Sequence, residues 1–498
     1  MQDSKRKTLA QGALIGIAAA LVTLLLHHAD CLQWLEAKTW DWRVRTLARP
    51  GTATEQICTI AIDQNSLDDA EDLLGIEWKW PREVYGAILE FCRRGGARAV
   101  AFDMLFSERS DIAASDDASF GDAIAAGPPS VIAIQLKAEN DTGANEWPAN
   151  IPEQIDSAAV LFAQHAPLKK RLTRPRASLP VPELATNACL LGSVDAIPDS
   201  DALFRRVPIG RVFSGRFVPS LGLAAYLAAH PKEAPTLTPE GMQIGDLHVP
   251  LDDNGDAILR FRGPSQTHLM LNATAVLQSE LRIREGGTPI VDPAILKDRY
   301  VLFGVTAAGL MDLKPTPMGG TYPGVEVHAT FLDNLLSDDI VREIPPSATM
   351  LLILLAGLVA GIAGRSCRNG HQTAFAFLVL LTLPIAAGFM TYTAGLWLMV
   401  APLEVVSGLA LLTAVIINYS LEGRRKRFIK GAFKQYLSPV QVDRLLQNPE
   451  QLQLGGEEKT LSIFFSDIQG FTTLSEGLTP TELTHLLNRY LTAMTDVI

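Results

Sequence analysis

Long apolar runs alternate with mixed polar segments along this chain and divide it into regions. Residues 10–26 form the first run, which at about 1.5 Å per helical residue covers roughly 26 Å and can span a bilayer with slight thinning. A cleaved signal peptide is the alternative, because residues 5–7 (Lys-Arg-Lys) precede the run. Residues 27–30 offer no Ala-x-Ala cleavage site, so an uncleaved span is favoured. Three further runs predict spans at residues 348–364, 373–390 and 396–418.

Basic residues flank these runs in a consistent way. Arg365 and Arg368 lie in the short loop between the second and third runs, and residues 424–427 (Arg-Arg-Lys-Arg) follow the fourth. Because positively charged loops stay in the cytoplasm, both termini are expected there, with the region between the first two runs on the outer side. Glu404 lies inside the last run, where an acid is a functional candidate that faces other helices. A hydrated position near the outer interface is the alternative for this residue.

In the long region between the first two runs, apolar residues recur at the short spacings of the helices and strands of a folded domain. An amphipathic helix is predicted at residues 82–94, where Gly95 and Gly96 end it, and strands at 57–62, 99–102, 131–136 and 300–305. This order of strand, helix and strand predicts a βαβ unit in an α/β domain. Trp80 and Arg82 are interpreted as packing residues.

Two acids follow strands in this region. Asp63 and Asp103 are predicted to end neighbouring strands, and they are candidates for lining a ligand cleft at the carboxyl ends of the sheet. The favoured alternative is that both acids cap the turns that follow them.

Composition agrees with a membrane protein that carries soluble units. The chain has 498 residues, 48% of them hydrophobic, and a mean hydropathy of +0.16. Its net charge of −11 argues against a nucleic-acid partner. The five cysteines form no CxxC pair, so isolated buried thiols are predicted, and an exported disulfide stays open. His165 and His328 stand alone and need no metal.

Six segments of this region stand out, at residues 60–63 (Ile-Ala-Ile-Asp), 80–82 (Trp-Pro-Arg), 100–106, 219–221, 260–264 (Arg-Phe-Arg-Gly-Pro) and 322–329. These segments resemble the second type of CHASE domain, a sensor joined to cyclases and histidine kinases. The resemblance implies an extracytoplasmic α/β sensor domain at residues 29–347 of a multi-pass protein of the bacterial inner (plasma) membrane. It names no ligand, so the stimulus stays unknown.

Near the C-terminus, an apolar run at residues 461–465 predicts a buried strand. The strand is followed by a lone acid, Asp467, then by Gly470 and two threonines that can open a helix. A carboxylate at a strand end, followed by free backbone N–H groups, suits a divalent metal that carries a polyphosphate. An equally ordinary interpretation is that Asp467 only caps the next helix.

The segment at residues 465–472, Phe-Ser-Asp-Ile-Gln-Gly-Phe-Thr, resembles the opening motif of class III nucleotidyl cyclases. The resemblance implies that Asp467 is catalytic and binds two Mg (or Mn) ions, with the backbone carbonyl of Ile468 as a further metal ligand. It assigns nucleotide-triphosphate binding to backbone N–H groups of Gln469, Gly470, Phe471 and Thr472. The second metal aspartate, the residues that read the base and the transition-state residues are expected beyond Ile498, so the 498-residue chain by itself is expected to be inactive.

These resemblances together predict a transmembrane sensor-regulated adenylate cyclase that converts ATP into cyclic AMP and pyrophosphate as a homodimer. The alternatives are a non-catalytic membrane receptor or a guanylate cyclase, and nothing in these residues reads the base. Helix starts are predicted at Ser438-Pro439-x-Gln441 and Thr479-Pro480-x-Glu482. The predicted regions are 1–28 (cytoplasmic tail and first span), 29–347 (sensor), 348–419 (three spans), 420–457 (cytoplasmic linker helices) and 458–498 (the first βα portion of an α+β, ferredoxin-like cyclase domain).

Overall fold

The computed structural model of the protein describes residues 2–151, 155, 170–238, 240–310, 313–433, 460 and 462–497. The chain divides into two compact units, residues 1–420 and 421–498. The prediction of a helix that starts at Ser438 lies outside the described residues.

The helices described are numbered in chain order. The first five are α1 (Gln2–His28), α2 (Gln33–Leu47), α3 (Gln64–Leu74), α4 (Arg82–Gly95) and α5 (Ala114–Ala126). They are followed by α6 (Pro182–Ala185), α7 (Leu221–Ala229), α8 (Ala273–Arg284), α9 (Gly324–Leu336) and α10 (Pro346–Ser366). The last are α11 (Gly370–Thr393), α12 (Val400–Phe433), α13 (Phe471–Glu476) and α14 (Pro480–Val497).

The strands described lie in the first unit. They begin with β1 (Ile57–Ile62), β2 (Ala99–Asp103), β3 (Ser130–Lys137), β4 (Arg176–Ser178), β5 (Leu190–Ser193) and β6 (Arg206–Pro208). The next are β7 (Gly210–Phe213), β8 (Arg216–Pro219), β9 (Pro235–Thr238), β10 (Gly241–Ile244), β11 (Leu247–Pro250) and β12 (Asp256–Ile258). The series ends with β13 (Leu269–Asn272), β14 (Tyr300–Val305), β15 (Leu313–Thr316), β16 (Gly319–Pro323), β17 (Arg342–Glu343) and β18 (Leu396–Trp397).

A parallel sheet forms the centre of the domain that separates α1 from α10. Its strands follow the order β13-β1-β14-β2-β3, and β5 also pairs with β3 in parallel. The predicted α/β class and the predicted strands are therefore confirmed. The prediction that Asp63 and Asp103 end neighbouring strands is wrong, because β14 pairs with β1 on one edge and with β2 on the other. A strand almost 200 residues later in the sequence enters between them, since its apolar side chains fill both faces of the sheet.

Successive side chains along each strand point to opposite faces of the sheet, and each face carries a hydrophobic core. In β2, Ala99 and Ala101 face the first core, while Val100 and Phe102 face the second. The first core is closed by α7 and α9, and the second by α3, α4, α5 and α8. The result is a three-layer α/β/α domain, in which small residues on one face let α7 pack closely.

Four helices are long and apolar enough to cross a membrane, at Lys5–His28, Pro346–Ser366, Gly370–Thr393 and Val400–Arg424. The prediction of four apolar helices is confirmed. The last helix begins later than the predicted 396, because Gly395 adopts a φ of +74° and the following two residues form β18, which pairs with β17. Arg365 donates to the side chains of Gln11 and Asn418, so the start of α1, the end of α10 and residue 418 of α12 lie on one side of the bundle.

Glycines bring the first two spans into backbone contact. A Cβ atom on Gly12 would lie 2.7 Å from the Cα atom of Ile362, and one on Gly16 would collide with the carbonyl of Gly357. On α10, a Cβ atom on Gly361 would meet the backbone of α1 in the same way. Small residues at such spacing are how helices approach closely where lipid provides no hydrophobic driving force.

We therefore expect Gly16→Val to weaken the packing of α1 on α10 by about 1–3 kcal/mol, the usual cost of overpacking. The measurement is the unfolding temperature of the detergent-solubilised protein. Gly408→Val in α12 is the matched control, because nothing lies within 4 Å of a Cβ atom at Gly408. Equal unfolding temperatures for the two variants would contradict the close approach.

Candidate functional site

The cyclase-like segment lies in the second unit. Residues 462–466 form no strand, and the side chains of Ile463 and Phe465 are 76% and 90% exposed. The prediction of a buried strand at 461–465 is thus wrong for the residues described. A strand needs neighbouring strands for its backbone hydrogen bonds, and no strand is described in residues 462–497.

The turn after the acid has the predicted form. Gly470 adopts a left-handed φ of +71°, and α13 begins at the next residue. Asp467 is exposed, and its carboxylate accepts a hydrogen bond from the N–H of Ile468 at 2.9 Å. The carbonyl of Ile468 accepts from the N–H of Phe471 at 3.2 Å. Gln469 and Thr472 are exposed beside this turn.

The oxygen ligands of this turn are of the class that Mg²⁺ prefers, but they are few. Asp467 supplies one carboxylate, and the structure shows no group of three His, Cys, Asp or Glu side chains suited to a metal among the described residues. One carboxylate and one carbonyl fit a single cation better than two.

The capping box at Thr479 is formed as predicted, since Glu482 accepts from the N–H and the hydroxyl of Thr479 at 2.9 and 2.6 Å.

The two acids of the sensor domain have different roles. Asp63 caps α3, because its carboxylate accepts from the N–H of Ser66 at 2.7 Å, and it also accepts from the side chain of Asn272 at 2.9 Å. Asp103 instead lines a cavity of about 340 Å³ at the carboxyl ends of the strands. The capping alternative therefore holds for Asp63, whereas Asp103 faces a cleft as the other alternative predicts.

Trp80 and Arg82 are packing residues, as predicted. Trp80 is 3% exposed, and Arg82 forms an ion pair with the buried Asp117 at 3.1 Å. The cysteines are unpaired. Cys58 and Cys92 are buried as predicted, whereas Cys31 and Cys189 are exposed, so the prediction of buried thiols is wrong for these two. Burial raises the pKa of the Cys58 thiol to about 12, so this thiol stays protonated and unreactive at neutral pH.

A buried ionic cluster joins the sensor to the membrane helices. Glu36 on α2 is 4% exposed and accepts three hydrogen bonds: from the guanidinium of Arg43 at 2.6 Å, the indole N–H of Trp397 at 2.9 Å and the backbone N–H of Ala401 at 2.8 Å. Arg43 also donates to the carbonyl of Leu398 at 2.9 Å. Glu36 thus binds a backbone N–H in the first turn of α12, the last candidate span. We call Glu36, Arg43, Trp397 and Ala401 the junction cluster.

A second set of charges ties the sensor loop before β6 to the same helix α2. The guanidinium of Arg205 is 1% exposed and pairs with Asp41 at 2.8 Å, with Asp199 at 2.9 Å and with Asp201 at 2.8 Å. Trp40, between Glu36 and Asp41, stacks on Trp397 with ring centroids 3.9 Å apart. These residues were not predicted from the sequence. On α2, Glu36 and Arg43 are seven residues apart, and Trp40 and Asp41 are adjacent. These spacings alone are a weak signal of a buried cluster, because the sequence does not show the partners on other elements.

Glu404 lies one turn into α12 and lines a cavity of about 250 Å³ together with Arg43 and Thr39. Its Oε1 atom is buried and has no hydrogen-bond partner among the described residues. Both features agree with the prediction that this acid faces other helices near one end of the span.

Within the sensor, Asp333 on α9 is fully buried and holds several loops together. Its carboxylate pairs with Arg262 at 2.8 Å and with His268 at 3.1 Å, and it accepts from the hydroxyl of Thr54 at 2.6 Å. Burial by itself raises the pKa of Asp333, but these donors outweigh burial and hold the pKa below its ordinary value of 3.8.

A depressed carboxyl pKa stabilises the fold above the pKa of the unfolded chain, and this stability is lost as the pH falls through the lower folded value. We expect Asp333→Asn to cost about 1.5–3 kcal/mol at pH 7, because a charged hydrogen-bond acceptor is lost. The difference in unfolding free energy between wild type and variant should shrink below about pH 4. Unfolding measured by intrinsic fluorescence from pH 7 to pH 3 checks this, and a constant difference would contradict it.

An α/β domain lies between one candidate membrane helix and three more. The CHASE2 domain matches residues 17–363 of the chain, from within the first candidate span to within the second. The chain therefore belongs to the CHASE2 domain family, whose members are sensors in signalling proteins. The comparisons with curated proteins and with solved structures gave no match.

Proposed function

We propose that this membrane signalling protein is a sensor-regulated class III adenylate cyclase, which makes cyclic AMP and pyrophosphate from ATP as a homodimer. The observation that carries the proposal is the segment 465–472. Its sequence resembles the cyclase opening motif, and in the structure it presents an exposed Asp467 beside the left-handed turn at Gly470 and the start of α13.

In the proposed reaction the 3′-oxygen of ATP forms a bond to the α-phosphorus, while the bond from that phosphorus to the bridging oxygen breaks and pyrophosphate leaves. The 3′-hydroxyl proton passes to solvent. Two Mg²⁺ (or Mn²⁺) ions, when bound, activate the hydroxyl and neutralise the triphosphate. Asp467 and the carbonyl of Ile468 would hold one side of this metal site, and backbone N–H groups from Gln469 to Thr472 would face phosphate oxygens.

The distribution of basic residues supports an orientation with both termini in the cytoplasm and the sensor outside the bacterial inner membrane. Arg365, Arg368 and residues 424–427 belong to the same side as the N-terminal lysines in this arrangement. The cyclase segment then meets cytoplasmic ATP, while the sensor domain meets an extracytoplasmic stimulus.

A non-catalytic receptor is the second candidate, and two observations favour it. The apolar residues 463–465 are exposed rather than paired in a sheet, and a single carboxylate stands at the turn. An exposed apolar segment of this kind suits an assembly surface for another protein.

The deciding experiment is a nucleotide assay on membranes that contain the protein expressed from its full reading frame. We expect conversion of ATP into cyclic AMP with Mg²⁺ or Mn²⁺, and a preference for ATP when GTP is offered at equal concentration. A preference for GTP would make the protein a guanylate cyclase. Absence of both cyclic products would support the receptor instead.

A further inference from the structure

The cavity beside Asp103 lies where the connections that follow neighbouring strands switch from one face of the parallel sheet to the other. The segments after β1 and β2 lead to α3 and α5 on the second core, whereas the segment after β14, the strand between them, leads to α9 on the first core. Such a change leaves a crevice at the carboxyl ends of the strands, where open α/β domains bind ligands. The cavity is lined there by Asp103 at the end of β2 and Val305 at the end of β14.

Charged and polar groups of both signs converge on this cavity. The residues that line it include Asp103, Gln135, Lys314 and His328, and His328 is 4% exposed. These residues come from β2, β3, β15 and α9, so the fold, rather than one local turn, brings them together. The remaining wall is mostly apolar: Met104, Leu105, Val194, Val305 and Leu310.

The start of α9 closes one side of the cavity at close range. Gly324, the first residue of α9, belongs to the lining, and a Cβ atom on Gly304 of β14 would lie 2.7 Å from the Cβ atom of Val325. This tight packing leaves no room for a side chain at Gly304. The wall at the switch point is therefore fixed by packing.

We propose that this cavity is the stimulus site of the sensor, and that it binds a small solute that carries both a carboxylate and an amine, of the size of an amino acid. Lys314 and His328 suit the carboxylate, while Asp103 and Gln135 suit the amine. A volume of about 340 Å³ lies at the small end of known ligand pockets. A ligand with on the order of ten non-hydrogen atoms fits this space.

Direct contacts lead from this site to the membrane helices. Lys314 lies on the hairpin of β15 and β16, and its ammonium sits 5.7 Å from the ring centre of Phe204. The N–H of Phe204 donates to the carbonyl of Pro315 at 2.8 Å. Its neighbour Arg205 pairs with Asp41 on α2, the helix that carries Glu36 of the junction cluster. A ligand that shifts the hairpin thus acts on α2 through Phe204 and Arg205.

The test is binding to the whole detergent-solubilised chain, which does not depend on the cyclase proposal. The twenty L-amino acids are screened singly at millimolar concentration by thermal unfolding. We expect at least one to raise the unfolding temperature by about 2–4 °C in a saturable manner. Propionate and propylamine, which carry only one of the two groups each, are expected to give no such rise.

Variants locate the site. Asp103→Asn and Lys314→Gln should each weaken binding at least tenfold, whereas the exposed controls Asp246→Asn and Lys232→Gln should bind as wild type does. Leu105→Trp at the half-exposed rim should block binding without removing a charge, which guards against loss of folding in the charge variants. The proposal is overturned if no amino acid binds, if binding survives in the cavity variants, or if propionate or propylamine binds as tightly.

Discussion

Asp467→Ala in the protein expressed from its full reading frame is expected to lower cyclic AMP formation by at least about a thousandfold, which corresponds to about 4 kcal/mol of transition-state stabilisation. The physical reason is that the proposed metal site gains its negative charge at the turn from this single carboxylate. Without it, the cations lose a direct ligand, and the charge of the triphosphate is not neutralised during attack. Asp467 is exposed, and within the described turn its carboxylate accepts a hydrogen bond from the N–H of Ile468, so its loss should leave the fold intact.

The matched control is Asp496→Ala, which removes another exposed acid of the same unit on α14. Both variants should insert into membranes and unfold at the wild-type temperature. Only Asp467→Ala should lose activity, and raising the Mg²⁺ concentration should restore little of it. Turnover within a few-fold of wild type in Asp467→Ala would refute the role of this carboxylate.

The sequence predicted the sensor strands well because their side chains are buried on both faces. The run from Tyr300 to Val305 is continuously apolar, and it forms β14 with the predicted bounds. Its place between β1 and β2 could not be predicted, since a pattern of burial carries no information about which strand is the neighbour. The same limit applies to the cavity beside Asp103, because Lys314 and His328 join its lining from distant elements.

Residues 461–465 show the opposite case. Their composition indicates a buried strand, yet residues 462–465 are exposed and unpaired in the described part of the second unit. In this unit, the predictions that depend on residues about three positions apart agree better with the structure than the prediction of the strand does. Gly470 forms its turn, and Thr479 and Glu482 form their capping box, because each needs only neighbouring backbone.

Glu36 of the junction cluster lies outside what sequence patterns can predict. Its partners, Trp397 and Ala401, are more than 350 residues away, and a lone acid in an exposed-looking helix normally faces solvent. In the structure it is the shared acceptor for an arginine, an indole and a backbone N–H of the last span. A carboxylate that satisfies three buried donors is costly to remove.

We expect Glu36→Ala to destabilise the first unit by about 3–5 kcal/mol, because the charge of Arg43 stays buried without its carboxylate partner and two further N–H groups lose their acceptor. Removing both charges in Glu36→Leu/Arg43→Leu should recover a large part of this loss, since no unpaired charge remains. Glu55→Ala, at an exposed acid ahead of β1, is the matched control and should cost less than about 0.5 kcal/mol. Urea unfolding of the detergent-solubilised protein measures all three.

The same variants separate stability from signalling. If α2 passes the state of the sensor to α12 through Glu36, the double variant should remain folded, yet any amino acid that binds the sensor should no longer alter cyclic AMP formation. Ligand binding, read by thermal unfolding, should stay within a few-fold of wild type, because Glu36 does not line the sensor cavity. A double variant that binds the ligand and still changes its activity as wild type does would show that the signal takes another route.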